Sequence, residues 1–464
     1  MKNRQILFSF LFLIPYLISA QIENKVLEGM SFRNIGPAGM SGRITSIDVD
    51  PGNPDIIYAG SASGGVWRST NAGQSWNSIW DDQPTAGIGV VKLDPNNSDV
   101  IWVGTGEGNP RNSQSSGAGL FKSIDGGKSF DLVGLEKTKH IHKIVIDPRN
   151  SDVVYIAAFG VAWGDTKERG VYKTIDAGKT WKKILYNNDR SGAADLVIDP
   201  ANPNKLFCAM WEYRRWPWYF KSGGEGSGLY MTLDAGESWK KITDKDGLPE
   251  GELGRIGIAV AQSNSKTVYA LVENKKKNGL YKSTDGGFKW KMVSEDENIG
   301  NRPFYYSDLH VDPFNENTIY SLWSIMTRSD DGGKSWRVIA PYYKVHPDHQ
   351  ALWMDPRRPG HMIEGNDGGM NITWDGGSSW RFIENLPVAQ FYHINVDNQK
   401  PYNVYGGMQD NGSWKGPAYS WIGTGIGNSE WQELYFGDGF DVVPHPSNTG
   451  IVYAMAQEGY LGRV

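Results

Sequence analysis

Thr174–Trp181 reads T-I-D-A-G-K-T-W, and the same eight-residue phrase returns as Ser69–Trp76, Ser123–Phe130, Thr232–Trp239, Ser283–Trp290, Ser329–Trp336 and Thr373–Trp380. Its third position is Asp in six copies (Asp125, Asp176, Asp234, Asp285, Asp331 and Asp375) and Asn71 in the first, and consecutive copies begin 44 to 58 residues apart. A fixed phrase at such a period marks repeated supersecondary units. The Ser or Thr and the Asp offer oxygens to the N–H groups of a tight turn, the Gly accepts positive φ, and the closing aromatic covers the turn. Local capping accounts for these acids, so no catalysis is expected of them.

A second phrase lies between the octets. A β-branched run leads into Asp-Pro and a second run follows, as at Asp94-Pro95, Asp147-Pro148, Asp199-Pro200, Asp312-Pro313 and Asp355-Pro356. Asp followed by Pro suits the first positions of a β-turn, so each unit reads as strand, turn, strand, with a third strand before the octet and a fourth after it. First strands are expected near Ile44, Ile88, Ile141, Ala193, Ile256, Tyr306, His349, Phe391 and Gly439.

The octet resembles the Asp-box, or BNR repeat, of sialidases, xyloglucan hydrolases and sortilin-type receptors. That resemblance implies an all-β protein: a β-propeller of four-stranded antiparallel blades with Asp-box turns. About nine blades are expected within residues 40–464, preceded by a lead-in over 21–39, with the last blade truncated and the ring not completed in this chain. Because those families share the box and not a chemistry, the box alone implies no activity. More than seven consecutive blades looks like sortilin, and V-Y-G-G-M-Q-D-N-G-S-W over Val404–Trp414 strengthens that comparison. Sortilin's cysteine-rich module has no counterpart here. Capture of a peptide or carbohydrate ligand is implied, together with further domains after Val464.

Residues 1–20 combine Lys2 and Arg4 with an apolar run from Ile6 to Ile18 and Ser19-Ala20 before Gln21. This is the pattern of a cleaved secretory signal, too short and wrongly flanked for a membrane span, and it implies a secreted or periplasmic protein. Removing Lys2 and Arg4 leaves 45 basic against 52 acidic side chains, a net charge of −7. Nothing in that balance points to nucleic acid. Cys208 is the only cysteine, so stability must come from burial and not from an internal disulfide. No cofactor is expected.

In a four-stranded meander the Asp-Pro turns and the octets emerge on one side, while the loops between strands two and three and the blade-to-blade links emerge on the other. The second side carries the long, variable segments, where a scaffold places function. Three candidates lie there. Met210–Gly228 is expected as a long loop whose Trp211, Tyr213, Arg214, Arg215, Trp216 and Trp218 form a ligand platform, because aromatic faces stack on sugars and arginines grip carboxylates. His346, Asp348 and His349 carry metal-ligating side chains. Asp367, Asp410 and Asp438 follow in successive loops, with Asp367 and Asp410 as a general acid and base and Asp438 as a ligand contact.

Two enzyme resemblances bear on this arc. Arg33 in F-R-N-I-G-P looks like the arginine motif of sialidases, whose other arginines and nucleophile find no match. Ile57–Arg68 looks like the segment where xyloglucan hydrolases place one catalytic Asp before a Gly pair; here that position is Ala62. Their second acid, in G-D-x-G-G, falls on Asn366, with Asp367 one place later. A hydrolase needs two carboxyls flanking the bond, so hydrolysis here requires a different pair. The expectation is an exported ligand-binding propeller, with a polysaccharide-cleaving glycoside hydrolase and a scaffold in a larger assembly as alternatives.

Overall fold

A computed structural model describes residues 29, 33–37, 39–110, 114–300, 302–303, 305–423 and 425–464. The expected signal over 1–20 lies outside them. The chain divides into Met1–Ile35 and Gly36–Val464, and among the described residues every strand belongs to the second unit. Its described residues form nine antiparallel sheets in strict chain order, at 44–78, 88–132, 141–185, 191–242, 253–294, 308–340, 349–382, 391–435 and 439–463. The protein is an all-β propeller. Eight sheets have the four-strand meander, the fourth with one added strand, and the ninth has three strands.

Every octet forms the turn between the third and fourth strands of its sheet. In the third sheet, strand Gly170–Thr174 ends on the octet's Thr and strand Lys182–Leu185 follows its Trp. The Thr174 hydroxyl donates to Asp176 Oδ1 at 2.6 Å and accepts from Gly178 N at 3.0 Å; Asp176 accepts in turn from Thr180 N at 2.9 Å. Gly178 has φ 94°, and Ala177 before it has φ 60°, a cost that this closed hydrogen-bond ring offsets. Hydroxyl and N–H donors hold Asp176, Asp234 and Asp375 down to a pKa of about 2, led by Thr174, Ser238 and Ser379 respectively.

The octet's aromatic ring packs backwards onto the preceding sheet. Phe130 joins the core of Tyr58, Val66 and Trp80 from the first sheet, and Trp181 meets Trp102 of the second edge-on at 6.3 Å. Trp181 and Trp380 donate their indole N–H to Val133 O and Ile339 O, each one sheet back. The first octet obeys the same rule. Trp76 clusters with Ile363, Met370 and Ile372 of the seventh sheet and Ile383 just after it, and Ile44, Ile57 and Ala59 join them. Seven sheets therefore close on themselves, with their first strands packed side by side at the centre.

This corrects the single uncompleted ring of about nine blades. Seven octets match seven sheets, and the eighth and ninth sheets, which have none, stand outside the circuit and share their own core of Tyr405, Val442, Val452 and Ala454. Counting first strands alone could not separate the two groups, because the strand-turn-strand phrase continues through both.

The fourth sheet departs from expectation as well. Its second strand does not end near Ala209 but runs from Asn202 to Trp216, turns at Pro217-Trp218, and returns as Tyr219–Ser222. Pro217 sits in the turn, where no ladder N–H is needed, so it terminates the strand without breaking it.

Thr174→Ala removes the acceptor for the Gly178 N–H and is expected to cost about 1–3 kcal/mol, measured by denaturant unfolding, with Thr174→Ser retaining most of that stability. The octet Asp pKa values lie below the unfolded value of about 4, so their stabilisation is complete above that pH and fades as pH falls towards 2. Asp176→Asn should flatten that acid limb.

Candidate functional site

One buried network gathers side chains from five sheets. Arg43, 2% exposed and just ahead of the first strand Ile44–Val49, donates Nη1 to Glu107 Oε1 at 2.8 Å and Nε to Asp367 Oδ1 at 2.9 Å. Glu107 follows the second strand of the second sheet. Asp367 occupies the tight turn between Met362–Asn366 and Gly369–Thr373 of the seventh. Asp367 also accepts from Tyr305 Oη at 2.8 Å and Gln350 Nε2 at 3.2 Å. Gln350 accepts from Asn109, and Asn109 accepts from Arg255 at 2.6 Å. Burial alone would lower the Arg43 pKa, but Asp367, Tyr305, Glu107 and Asp410 together hold it well above its ordinary value.

The network reaches solvent at Asp410, in the turn between Asn403–Met408 and Ser413–Pro417 of the eighth sheet. Arg43 Nη2 stands 3.8 Å from Asp410 Oδ2, and the Asp410 side chain is 25% exposed. Burial, followed by the negative charges of Asp367 and Asp438, pushes its carboxyl up to about 9. Asp438 accepts the Asp410 N–H at 2.5 Å, and His346 Nε2 lies 3.3 Å from the Asp410 carbonyl. These residues line a cleft of about 600 Å³ with Tyr342, Tyr343, Phe382, Glu433 and Phe436. Tyr343 and Phe436 are 83% and 84% exposed, so flat rings line the same cleft as a carboxyl whose proton affinity is raised. The arrangement can stack on a sugar and give it a proton.

The structure brings Asp367, Asp410 and Asp438 together as the sequence suggested, and changes one role. Asp367 is 2% exposed and surrounded by donors, so it cannot touch a substrate as acid or base. The metal reading fails on direction. His349 is buried with Nδ1 on Glu364 Oε2 at 2.9 Å, His346 Nδ1 donates to Pro347 O, and Asp348 accepts from Tyr306 at 2.9 Å. Among the described residues no three His, Cys, Asp or Glu side chains group to hold a metal ion.

The aromatic platform divides in two. Alternation along the extended strand turns Trp211, Tyr213 and Arg215 inward, where Trp211 and Tyr213 stack at 4.8 Å with Phe159 and Phe220 around them. These are core residues, not ligand contacts. Trp216, Trp218 and Tyr219 remain at the hairpin tip, Trp218 82% exposed, with Arg214 paired to Asp165 at 3.0 Å. Arg43, Tyr305 and Gln350 were missed, as were the cleft rings Tyr342, Tyr343 and Phe436. The one available signal was an arginine abutting an apolar strand in S-G-R-I-T.

Residues 118–279 match the family model Sortilin-Vps10, described as "Sortilin, neurotensin receptor 3". Similar proteins include a xyloglucanase of a Paenibacillus species, 25% identical over 67% of this chain and 32% of its own length. A xyloglucanase of Hypocrea jecorina is 22% identical over 78% of this chain and 41% of its own. The chain thus spans between about a third and two fifths of these relatives. Among solved structures, the GH74 xyloglucanase from Xanthomonas campestris superposes with TM-score 0.61 at 16% identity, covering 93% of this chain and 73% of that one. The chain is thus similar in sequence to the sortilin family model over residues 118–279 and to xyloglucanases over a part of their length, and it shares the propeller fold of the Xanthomonas campestris structure.

Trp211→Ala is expected to cost about 3–5 kcal/mol as a large-to-small core truncation. Trp218→Ala should leave the melting temperature nearly unchanged.

Proposed function

We propose that this protein is a glycoside hydrolase that binds a polysaccharide of the xyloglucan kind in the Asp410 cleft, with Asp410 as general acid. One observation carries the reading: a carboxyl pushed up to about 9 opens into an aromatic-lined cleft beside a second carboxyl, Asp438. A glycosidase needs this pair, one group to protonate the leaving oxygen and one to take the proton of the attacking water or to attack directly. The similarity to xyloglucanases supports the substrate class.

A second reading keeps the cleft and drops the chemistry. Ala62 and Asn366 stand where the xyloglucan-hydrolase pattern has acids, which favours an Asp-box propeller that captures a glycan or peptide without cleaving it, the hairpin tip at Trp216 and Trp218 adding contact area. In either reading we place the protein outside the cytoplasm, with 1–20 removed as a signal, no cofactor and no nucleic-acid partner. No helix among the described residues is long and apolar enough to cross a membrane. We further propose that more sheets accompany the eighth and ninth. The strand Phe391–Val396 leaves Ile394 68% and Val396 58% exposed, a face that neighbours cover in the first seven sheets.

Turnover on a panel of β-glucans that includes xyloglucan tests the proposal. Hydrolysis is expected to fall as pH rises through about 9, where Asp410 loses its proton. Asp410→Asn should lower kcat by roughly 10²–10⁴-fold with the melting temperature kept. Full activity in Asp410→Asn contradicts the assignment, and tight glycan binding without turnover selects the capture reading.

A further inference from the structure

We infer that His142 is an acid-sensitive latch beneath residues 106–109, so that protonating its ring lifts the segment and parts Glu107 from Arg43 and Asn109 from Gln350 and Arg255. The inference concerns regulation of the proposed site and rests on that reading only for its consequence. His142 is the second residue of strand Ile141–Ile146 in the third sheet and is 6% exposed. Among the described residues neither of its ring nitrogens has a hydrogen-bond partner. The ring lies against bare backbone on one side, since a Cβ on Gly108 would stand 2.0 Å from His142 Nδ1. It also meets the Phe159 ring edge-on, with 5.8 Å between centroids. A neutral imidazole fits this slot with one idle donor and one idle acceptor. An imidazolium would bring two N–H donors and a charge, with no acceptor to receive them.

Members of the buried network stand on either side of Gly108. Glu107 accepts from Arg43 at 2.8 Å, while Asn109 donates to Gln350 at 2.5 Å and accepts from Arg255 at 2.6 Å. The segment is tied down by Gly106 N to Gly87 O at 2.7 Å, Glu107 N to Ser115 O at 3.0 Å and Gln114 Nε2 to Glu107 O at 2.6 Å. Water reaches His142 when residues 106–109 lift, so charge on the ring and closure of the network exclude each other. Of the charged groups facing the ring, Lys143 and Arg255 oppose its protonation and Asp308 favours it, with His310 on the same channel wall. His140, two residues earlier and 3% exposed, leaves Nδ1 unpartnered and faces Lys139 and Arg169. Burial above all holds the pKa of His142 well below its ordinary value and that of His140 at about 4. A histidine depressed in the folded state stabilises the closed form above its unfolded pKa of about 6.5, and that stability is lost as pH falls below it. The octet acids act only below about 4, so the two pH windows are separate.

Amide hydrogen exchange of residues 106–109, corrected for its intrinsic pH dependence, reads the latch without any substrate. Protection is expected to hold at about pH 7 and to fall about tenfold per pH unit below about 6.5, while octet turns such as Thr174–Trp181 stay protected. His142→Phe, which cannot take a proton, should flatten that loss. Protection unchanged down to about pH 5 overturns the inference, and so does a loss that the octets share, which is global unfolding. A folded His142→Phe with the wild-type pH dependence overturns it equally. Should that variant not fold, the wild-type profile decides alone. Full turnover in Asp410→Asn would defeat the catalytic assignment and leave the exchange result standing, so the two failures are distinguishable.

Discussion

Arg43 is the group on which the rest of the structure depends. A guanidinium 2% exposed at the mouth of a propeller is costly to desolvate, and its partners Glu107 and Asp367 are as deeply buried. Such an ion pair adds little net stability when intact, yet losing one partner strands a buried charge at a cost of about 3–5 kcal/mol. The network is satisfied only when the first, second and seventh sheets meet in one register. The apolar part of that seam, Trp76 against Ile372 and Ile383, supplies the burial energy. The same arginine then extends to the eighth sheet, so closure of the circuit and the electrostatics of the cleft share one set of atoms.

The repeating architecture was legible because each octet solves its turn locally: a Thr or Ser, an Asp and a Gly within eight residues determine one hairpin without distant help. First strands were placed within a few residues for the same reason. Closure was not legible. It depends on Trp76 finding the seventh sheet, an encounter about three hundred residues apart in the chain that no local pattern encodes. The fourth-sheet hairpin was not legible because Pro217 and the adjacent Arg214 and Arg215 suit a buried strand poorly; the strand accommodates them by putting Pro217 in the turn and burying Arg215 over the Phe220 ring, 4.7 Å from its centroid.

The site was legible as an arc of acids and illegible as a set of roles. Loop order alone brought Asp367, Asp410 and Asp438 to one face, while burial decided that Asp367 serves its neighbours and Asp410 meets solvent. The metal reading failed because spacing says nothing of direction: His349 turns inward to Glu364. The two positions that carry acids in the xyloglucan-hydrolase pattern have structural work here. Ala62 N donates to the Arg43 carbonyl, and Asn366 links Glu364 Oε1 to Gly368 N. Both residues complete the frame around Arg43 and Asp367, and the proposed chemistry moves one sheet further, to Asp410.

The central claim is that the Asp410 cleft is where a polysaccharide is bound and protonated. A structure of the protein with a xyloglucan oligosaccharide tests it most directly. The account predicts sugar rings stacked on Tyr343 and Phe436 with a glycosidic oxygen within hydrogen-bond reach of the Asp410 carboxyl. An oligosaccharide seated instead on the Trp218 hairpin tip, with the Asp410 cleft empty, would contradict it.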